Sequence, residues 1–204
     1  MIKTYNDIVP NKDEALRYLG YPKGKADETV LKLADECINE LKLTPKVCFE
    51  TVSVKKDGEN LDFELFHTKS KSLSCFIGEK KSAVLFGATI GIEFDRLLKK
   101  VSVISPAKAA VLQAVGASSI EALCDKFCDD LGGGARFSPG YGDFPLEAQK
   151  DFVNALSLSK NIGVCLTSSL LMTPTKSVTA IFVPNSDESY GCENCDKKCE
   201  FRRK

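Results

Sequence analysis

The chain turns on the stretch Gly132-Gly-Gly-Ala-Arg-Phe-Ser-Pro-Gly-Tyr-Gly-Asp-Phe-Pro145. It carries five of the fourteen glycines and two of the eight prolines, too many for a helix interior or a central strand. Arg136, Phe137, Tyr141 and Phe144 are interleaved among them, which a featureless linker does not need. A backbone free to approach something closely, with one guanidinium and three rings around it, reads as a binding loop. Arg136 can pair with a carboxylate, and Tyr141 offers a ring face and a hydroxyl. A structured turn that simply packs its aromatics is the competing reading.

Immediately upstream, Ser105-Pro106 opens a helix, with a capping hydroxyl followed by proline at the first helical position. The helix is expected to run to about Asp130, with Val111, Ala114, Ile120, Leu123 and Phe127 as its buried stripe. Gly116 inside it costs about 1 kcal/mol of helix propensity relative to alanine and leaves room for close packing. Glu121 and Asp125 share one face, ordinarily a solvated one; Cys124 and Cys128 also share a helix face and could bind a metal, though core packing outweighs that. Gly132-Gly133-Gly134 suits a helix C-terminus and not a phosphate-binding loop, because no Gly-Lys-Ser/Thr follows.

Farther out, helices are expected at Asn11–Tyr18, from Asp27 to about Leu41, at Ser72–Ile77, from Glu93 to about Lys99, and at Leu146–Leu158. Strands are expected at Val47–Val54, at Ala83–Ile90, the last apolar enough for burial on both faces, and at Ile162–Thr167 and Ser177–Val183. Asp57-Gly58 makes a turn that brings Leu61–His67 back as a hairpin partner of Val47–Val54. Hairpins mixed with helices, with no regular strand–helix alternation, favour α+β: one domain with a mainly antiparallel, twisted sheet flanked by helices. Residues 1–190 form that domain, and 191–204 a cysteine-rich tail.

Charge balances at 28 basic against 28 acidic residues, so nothing general points to nucleic acid. No stretch is long and apolar enough to cross a bilayer, and the N-terminus lacks the apolar core of a signal peptide, so the cytoplasm is the expected compartment. Nine cysteines are many for a place where disulfides seldom persist. Cys37, Cys48, Cys75 and Cys165 sit singly in apolar segments and read as small core residues. Cys192-x-x-Cys195-x-x-x-Cys199 has metal-ligand spacing; zinc and an iron–sulfur cluster are equally compatible on counting, against a free-thiol tail. His67, the single histidine, has no serine–acid context for hydrolytic catalysis.

At Arg136-x-x-x-Gly140-Tyr141 the chain resembles the activation (reactivation) domain of cobalamin-dependent methionine synthase, whose loop reads Arg-x-x-x-Gly-Tyr-Pro-Ala-Cys-Pro. The likeness continues through Ile162-Gly-Val-Cys-Leu-Thr-Ser-Ser-Leu-Leu-Met172-x-Pro174-x-x-Ser177-Val178 and the Pro184-Asn-Ser-Asp-Glu-Ser-Tyr190 turn. Upstream, Glu121-Ala-Leu resembles the family's Glu-Ala-Phe. The sequence departs at Gly142-Asp143-Phe144, in place of Pro-Ala-Cys, and at Leu166-Thr-Ser168, in place of Leu-Thr-Glu.

The resemblance implies that Arg136, Gly140 and Tyr141 contact S-adenosylmethionine. Arg136 would take the carboxylate, Glu121 the cationic amino end, and Tyr190 would line the pocket. No cobalamin, folate or homocysteine module fits in this length. A free-standing reactivation protein is therefore implied, acting with a cobalamin-binding methionine synthase core or another corrinoid protein and an electron donor such as flavodoxin or ferredoxin. It would serve the enzyme as a component of methyltransferase reactivation, with no acid, base or nucleophile of its own. A docking or chaperone module that has lost the ligand, and a small metalloprotein centred on Cys192, Cys195 and Cys199, are the alternatives.

Overall fold

The computed structural model describes residues 1–185. Tyr190, Cys192, Cys195 and Cys199 lie outside them, as does the 191–204 tail. In chain order the elements are strand β1 (Ile2–Thr4), helices α1 (Lys12–Tyr18) and α2 (Glu28–Glu40), and strands β2 (Lys46–Ser53), β3 (Lys55–Asp57), β4 (Asn60–Asp62) and β5 (His67–Lys69). Helix α3 (Lys71–Ile77), strand β6 (Ser82–Thr89), helices α4 (Ile92–Ile104) and α5 (Pro106–Asp129), and strand β7 (Arg136–Phe137) follow. A 3-10 turn at Leu146–Ala148 leads into α6 (Gln149–Ala155) and α7 (Leu158–Ile162), then strands β8 (Cys165–Leu166), β9 (Met172–Thr173) and β10 (Ser177–Phe182).

The main sheet has the order β1-β2-β6-β10-β7, and every neighbouring pair is antiparallel. Because side chains alternate along a strand, each face feeds a separate core. Val47, Val84, Phe86, Ala88, Ala180 and Phe182 meet the layer of α1, α2, α4 and α5. Cys48, Val52, Leu85, Ile181 and Val183 meet α3, α6, α7 and the small sheet formed by β3, β4 and β5. The expected α+β architecture, an antiparallel sheet between helices, is the observed one, and β6 is buried on both faces from Ala83 onward.

Helix starts follow their caps. Asn11 accepts from the Glu14 amide at 3.1 Å, Asp27 from Val30 at 2.9 Å and Ser70 from Leu73 at 3.0 Å. Ser105 accepts from Lys108 at 3.3 Å, with Pro106 opening α5. Each supplies a partner for one of the amides that a helix leaves unpaired at its start.

Four expectations need correction. Leu61–His67 does not pair with β2, whose neighbours in the sheet are β6 along its length and β1 at Lys46–Cys48. The Asp57-Gly58 turn instead joins β3 to β4, and β5 completes a separate three-stranded sheet. The 146–158 helix is broken at Ser157, whose φ of 47° lies in the left-handed region. Asn161 Nδ2 there donates to the Leu156 carbonyl at 2.8 Å. The break lets Leu158 drop onto β6 at Gly87, where a Cβ would stand 2.5 Å from its Cδ1. The strand expected at Ile162–Thr167 shrinks to β8, paired only with β9 and outside the main sheet. Cys75 and Cys165 are exposed, whereas Cys37 and Cys48 are core residues as expected.

Gly116 does permit close packing. A Cβ there would meet the Phe94 ring at 2.3 Å and Lys176 Cε at 3.0 Å. Phe94 is fully buried and cannot swing aside. Gly116→Ala gains about 1 kcal/mol of helix propensity but is set against roughly 1–3 kcal/mol of overpacking. The variant should be less stable than the natural chain by about 1 kcal/mol in a guanidinium titration; a gain in stability would mean that the ring is not held there.

Candidate functional site

Helix α5 presents Glu121, Cys124, Asp125 and Cys128 at helical intervals of three, four and seven residues, so they line one stripe. The last strand added to the sheet, β7, pairs with β10 in the register Arg136↔Phe182 and Ile181↔Phe137. Phe182 belongs to the core under α5, so Arg136 points the same way and reaches the stripe.

Arg136 Nη2 donates to Glu121 Oε2 at 2.9 Å, and Nη1 donates to Asp125 Oδ1 at 2.7 Å. The Cys128 sulfur lies 3.9 Å from Nη1. The arginine side chain is 19% exposed, against 29% for Glu121 and 49% for Asp125, so the guanidinium is the innermost of the three. Burial works against its charge, but the acidic neighbours, Asp125 and Glu121 among them, outweigh that, and its pKa is raised. The neighbouring thiols move the other way from catalytic cysteines. Burial pushes Cys124 well up, and pushes Cys128 to about 11 in spite of Arg136. Both are neutral packing groups under Arg136, as expected for core cysteines.

Phe137 points to the opposite face and carries the loop after it. Its ring meets Phe76 of α3 at 5.2 Å and the edge of Tyr141 at 5.8 Å and 74°. The loop is held by its own backbone: Tyr141 donates to Ser138 at 3.1 Å, Phe144 to Tyr141 at 2.9 Å, and Gly140 to Phe144 at 2.8 Å. Gly140 has φ of +91°, a conformation that side-chain-bearing residues avoid. Tyr141 is half exposed, while Phe144 is buried in the second core.

The departure at Gly142-Asp143-Phe144 has a structural account. Asp143 does not enter the space above the loop; its carboxylate turns to the start of α3. Ser70 Oγ donates to it at 2.6 Å, and the Lys71 and Ser72 amides at 2.8 and 2.9 Å. Those donors, Ser70 first and then Ser72 and Lys71, hold this carboxyl far below the ordinary carboxylate range. A carboxyl depressed on folding adds stability that is present above its unfolded value and is lost only as pH falls through the folded one.

Of the residues expected to form the site, Glu121 and Arg136 meet directly, and Gly140 and Tyr141 share the following loop. Arg136 faces α5 while Phe137, and Tyr141 with it, face α3, so the group lies on both faces of β7. Tyr190 falls outside the described residues. Sequence reasoning passed over Asp125, which reads as solvated surface beside Glu121; an arginine eleven residues on was the available signal. Asp125 also walls a cleft of about 900 Å3 between α1 and α5, with Asn11, Asp13, Ser118, Ala122 and Asp129. Among the described residues no group of three His, Cys, Asp or Glu side chains is placed to hold a metal ion. No helix among them is long and apolar enough to cross a membrane.

An antiparallel sheet between two helical layers, with an arginine on its edge strand answered by acids on the long helix, makes this an α+β domain. Residues 117–198 match the family model of the activation domain of vitamin B12-dependent methionine synthase. A crystal structure of the MetH reactivation domain bound to AdoHcy has the same fold, with a TM-score of 0.72 at 16% sequence identity, covering 93% of this chain and 80% of that one. No curated protein matches the chain. The resemblance read from Arg136 to Tyr190 is thus borne out, in sequence over 117–198 and in fold over nearly the whole length.

The thiols provide a direct check on this geometry. In the native protein at pH 7.5, Cys75 and Cys165 should react promptly with an alkylating reagent. Cys37, Cys48, Cys124 and Cys128 should label only with denaturant, as read by peptide mass mapping. Prompt labelling of Cys124 would contradict the packing under Arg136.

Proposed function

We propose that this chain binds S-adenosylmethionine beside β7 and presents it to a cobalamin-bearing partner, a methionine synthase core or another corrinoid methyltransferase. The observation that carries the reading is the ion cluster of Arg136 with Glu121 and Asp125, with the glycine-rich turn at Gly140–Tyr141 following in the same edge segment. The family match and the fold shared with an AdoHcy-bound reactivation domain support it.

The residues present fit such a ligand. An amino acid head group carries one carboxylate and one ammonium. Its carboxylate can replace Asp125, the outermost partner, on the Arg136 guanidinium, and its ammonium can be received by the carboxylates so released. The charges then balance, whereas a simple anion would displace Asp125 and bring no cation in exchange. Gly140 lets the backbone come close, and the half-exposed Tyr141 ring offers a face for a cation or a heterocycle. When bound, S-adenosylmethionine supplies the methyl group that returns an oxidised corrinoid to its working form once an electron has arrived. The work of this chain is to position it, and no described side chain is required as acid, base or nucleophile.

One observation favours a second reading. Arg136 is already satisfied by internal carboxylates, which is also what a docking module without a ligand would have. Calorimetry with S-adenosylmethionine and with its demethylated product separates the two. Saturable binding is expected, weakened at least about tenfold by Arg136→Met and by Glu121→Gln, since each removes a charge-assisted partner of the head group. No detectable heat at millimolar ligand, with or without a cobalamin-loaded partner, would leave the docking module as the function.

A further inference from the structure

The ligand loop is anchored by a contact that its own sequence neighbourhood does not supply. Asp143 reaches across some seventy positions to three donors at the start of α3: Ser70 Oγ, the Lys71 amide and the Ser72 amide. Beside it, Gly142 has φ of +54°, and a Cβ there would strike Ser72 Oγ at 2.4 Å. On the other side Phe144 is buried, and its amide and carbonyl close the turn onto Tyr141 and Gly140. Ser70 is itself committed, its oxygen capping α3 through the Leu73 amide while its hydroxyl donates to Asp143. The loop and α3 therefore share one hydrogen-bonded joint, and the residue on each side of Asp143 is shaped to let it close.

We propose that Asp143 is the positioning residue of the ligand loop, clamping Gly140 and Tyr141 on α3 so that the turn is formed before any ligand arrives. It touches no ligand itself. Its bearing on affinity rests on the S-adenosylmethionine reading above, but the clamp itself does not. An ordered loop need not be fixed at the moment of binding, and the entropy so spared appears as affinity. The chain carries this acid where the family resembled has an apolar residue, so here the turn is held from outside by a charge-assisted contact with a neighbouring helix.

The test uses the full chain with Asp143→Ala and Asp143→Asn, read by amide hydrogen exchange and by calorimetry with S-adenosylmethionine. Asparagine keeps one oxygen for Ser70 and Ser72 but turns an NH2 toward the Lys71 amide, so it should fall between the other two. In Asp143→Ala the Gly140, Tyr141 and Phe144 amides should exchange about tenfold faster or more, while those of β6 and β10 stay protected, which shows the fold intact. The dissociation constant should rise about tenfold, with asparagine partly restoring both readouts. Unchanged loop exchange in Asp143→Ala, or faster exchange with unchanged affinity, would overturn the proposal. Loss of loop protection in a protein whose natural form binds no S-adenosylmethionine would uphold the clamp and sink only the ligand reading.

Discussion

One ring decides where the rest of the site can be. Phe127, near the end of α5, is fully buried and meets Phe49 at 5.1 Å, Phe86 at 5.0 Å and Phe182 at 6.5 Å. Those three belong to β2, β6 and β10, adjacent strands of the sheet, so the contact fixes α5 both along and across it. Each aromatic pair contributes about 0.5–1.5 kcal/mol beyond the area it buries. A helix is rigid over such a distance, and once Phe127 is seated, Glu121, Cys124, Asp125 and Cys128 have no remaining freedom of position. The register of β7 against β10 then sets Arg136 opposite Phe182, the same residue that touches Phe127. Hydrophobic packing has thereby aimed an ion cluster.

The cluster in turn answers a problem that the packing creates. A guanidinium four-fifths withdrawn from water, above two neutral thiols, loses hydration that only carboxylates can replace. Removing either acid would leave part of that charge without a partner, which costs far more than the intact pair adds. The requirement also restricts what can bind. A neutral ligand gains nothing from displacing Asp125, and a bare anion leaves the displaced acid beside Glu121. On the reading proposed above, a zwitterion would restore both pairings.

Much of this was legible in the sequence because it rests on local rules. The Ser105-Pro106 start, the Asp27 cap and the two-sided burial of β6 each follow from a few adjacent residues, and the Arg136 to Tyr141 motif is contiguous. What could not be read was set by competition between distant segments. Leu61–His67 has the pattern of a hairpin partner, but the segment between it and β2 forms a strand of its own, and β3, β4 and β5 pair with one another. The helix at 146–158 is amphipathic throughout; it breaks because Leu158 finds a glycine notch in a strand seventy residues earlier. Asp125 looked solvated because its partner arrives by way of a two-residue edge strand. Cys75 and Cys165 sit among apolar neighbours in sequence yet face water, since short elements at the periphery bury only one side.

The departure from the resembled motif at Gly142-Asp143-Phe144 follows from the same long-range logic. Read as a linear motif, two larger residues in place of alanine and cysteine suggest an obstructed loop. In three dimensions neither occupies the space over Gly140: the carboxylate is spent on α3 and the ring is sunk in the second core. The glycine before them is the position at which added bulk would collide, with Ser72, and it carries none. Substitutions at three successive positions that satisfy one joint are coupled changes in how the turn is held. They alter its fastening, and among the described residues they place no side chain of their own over Gly140.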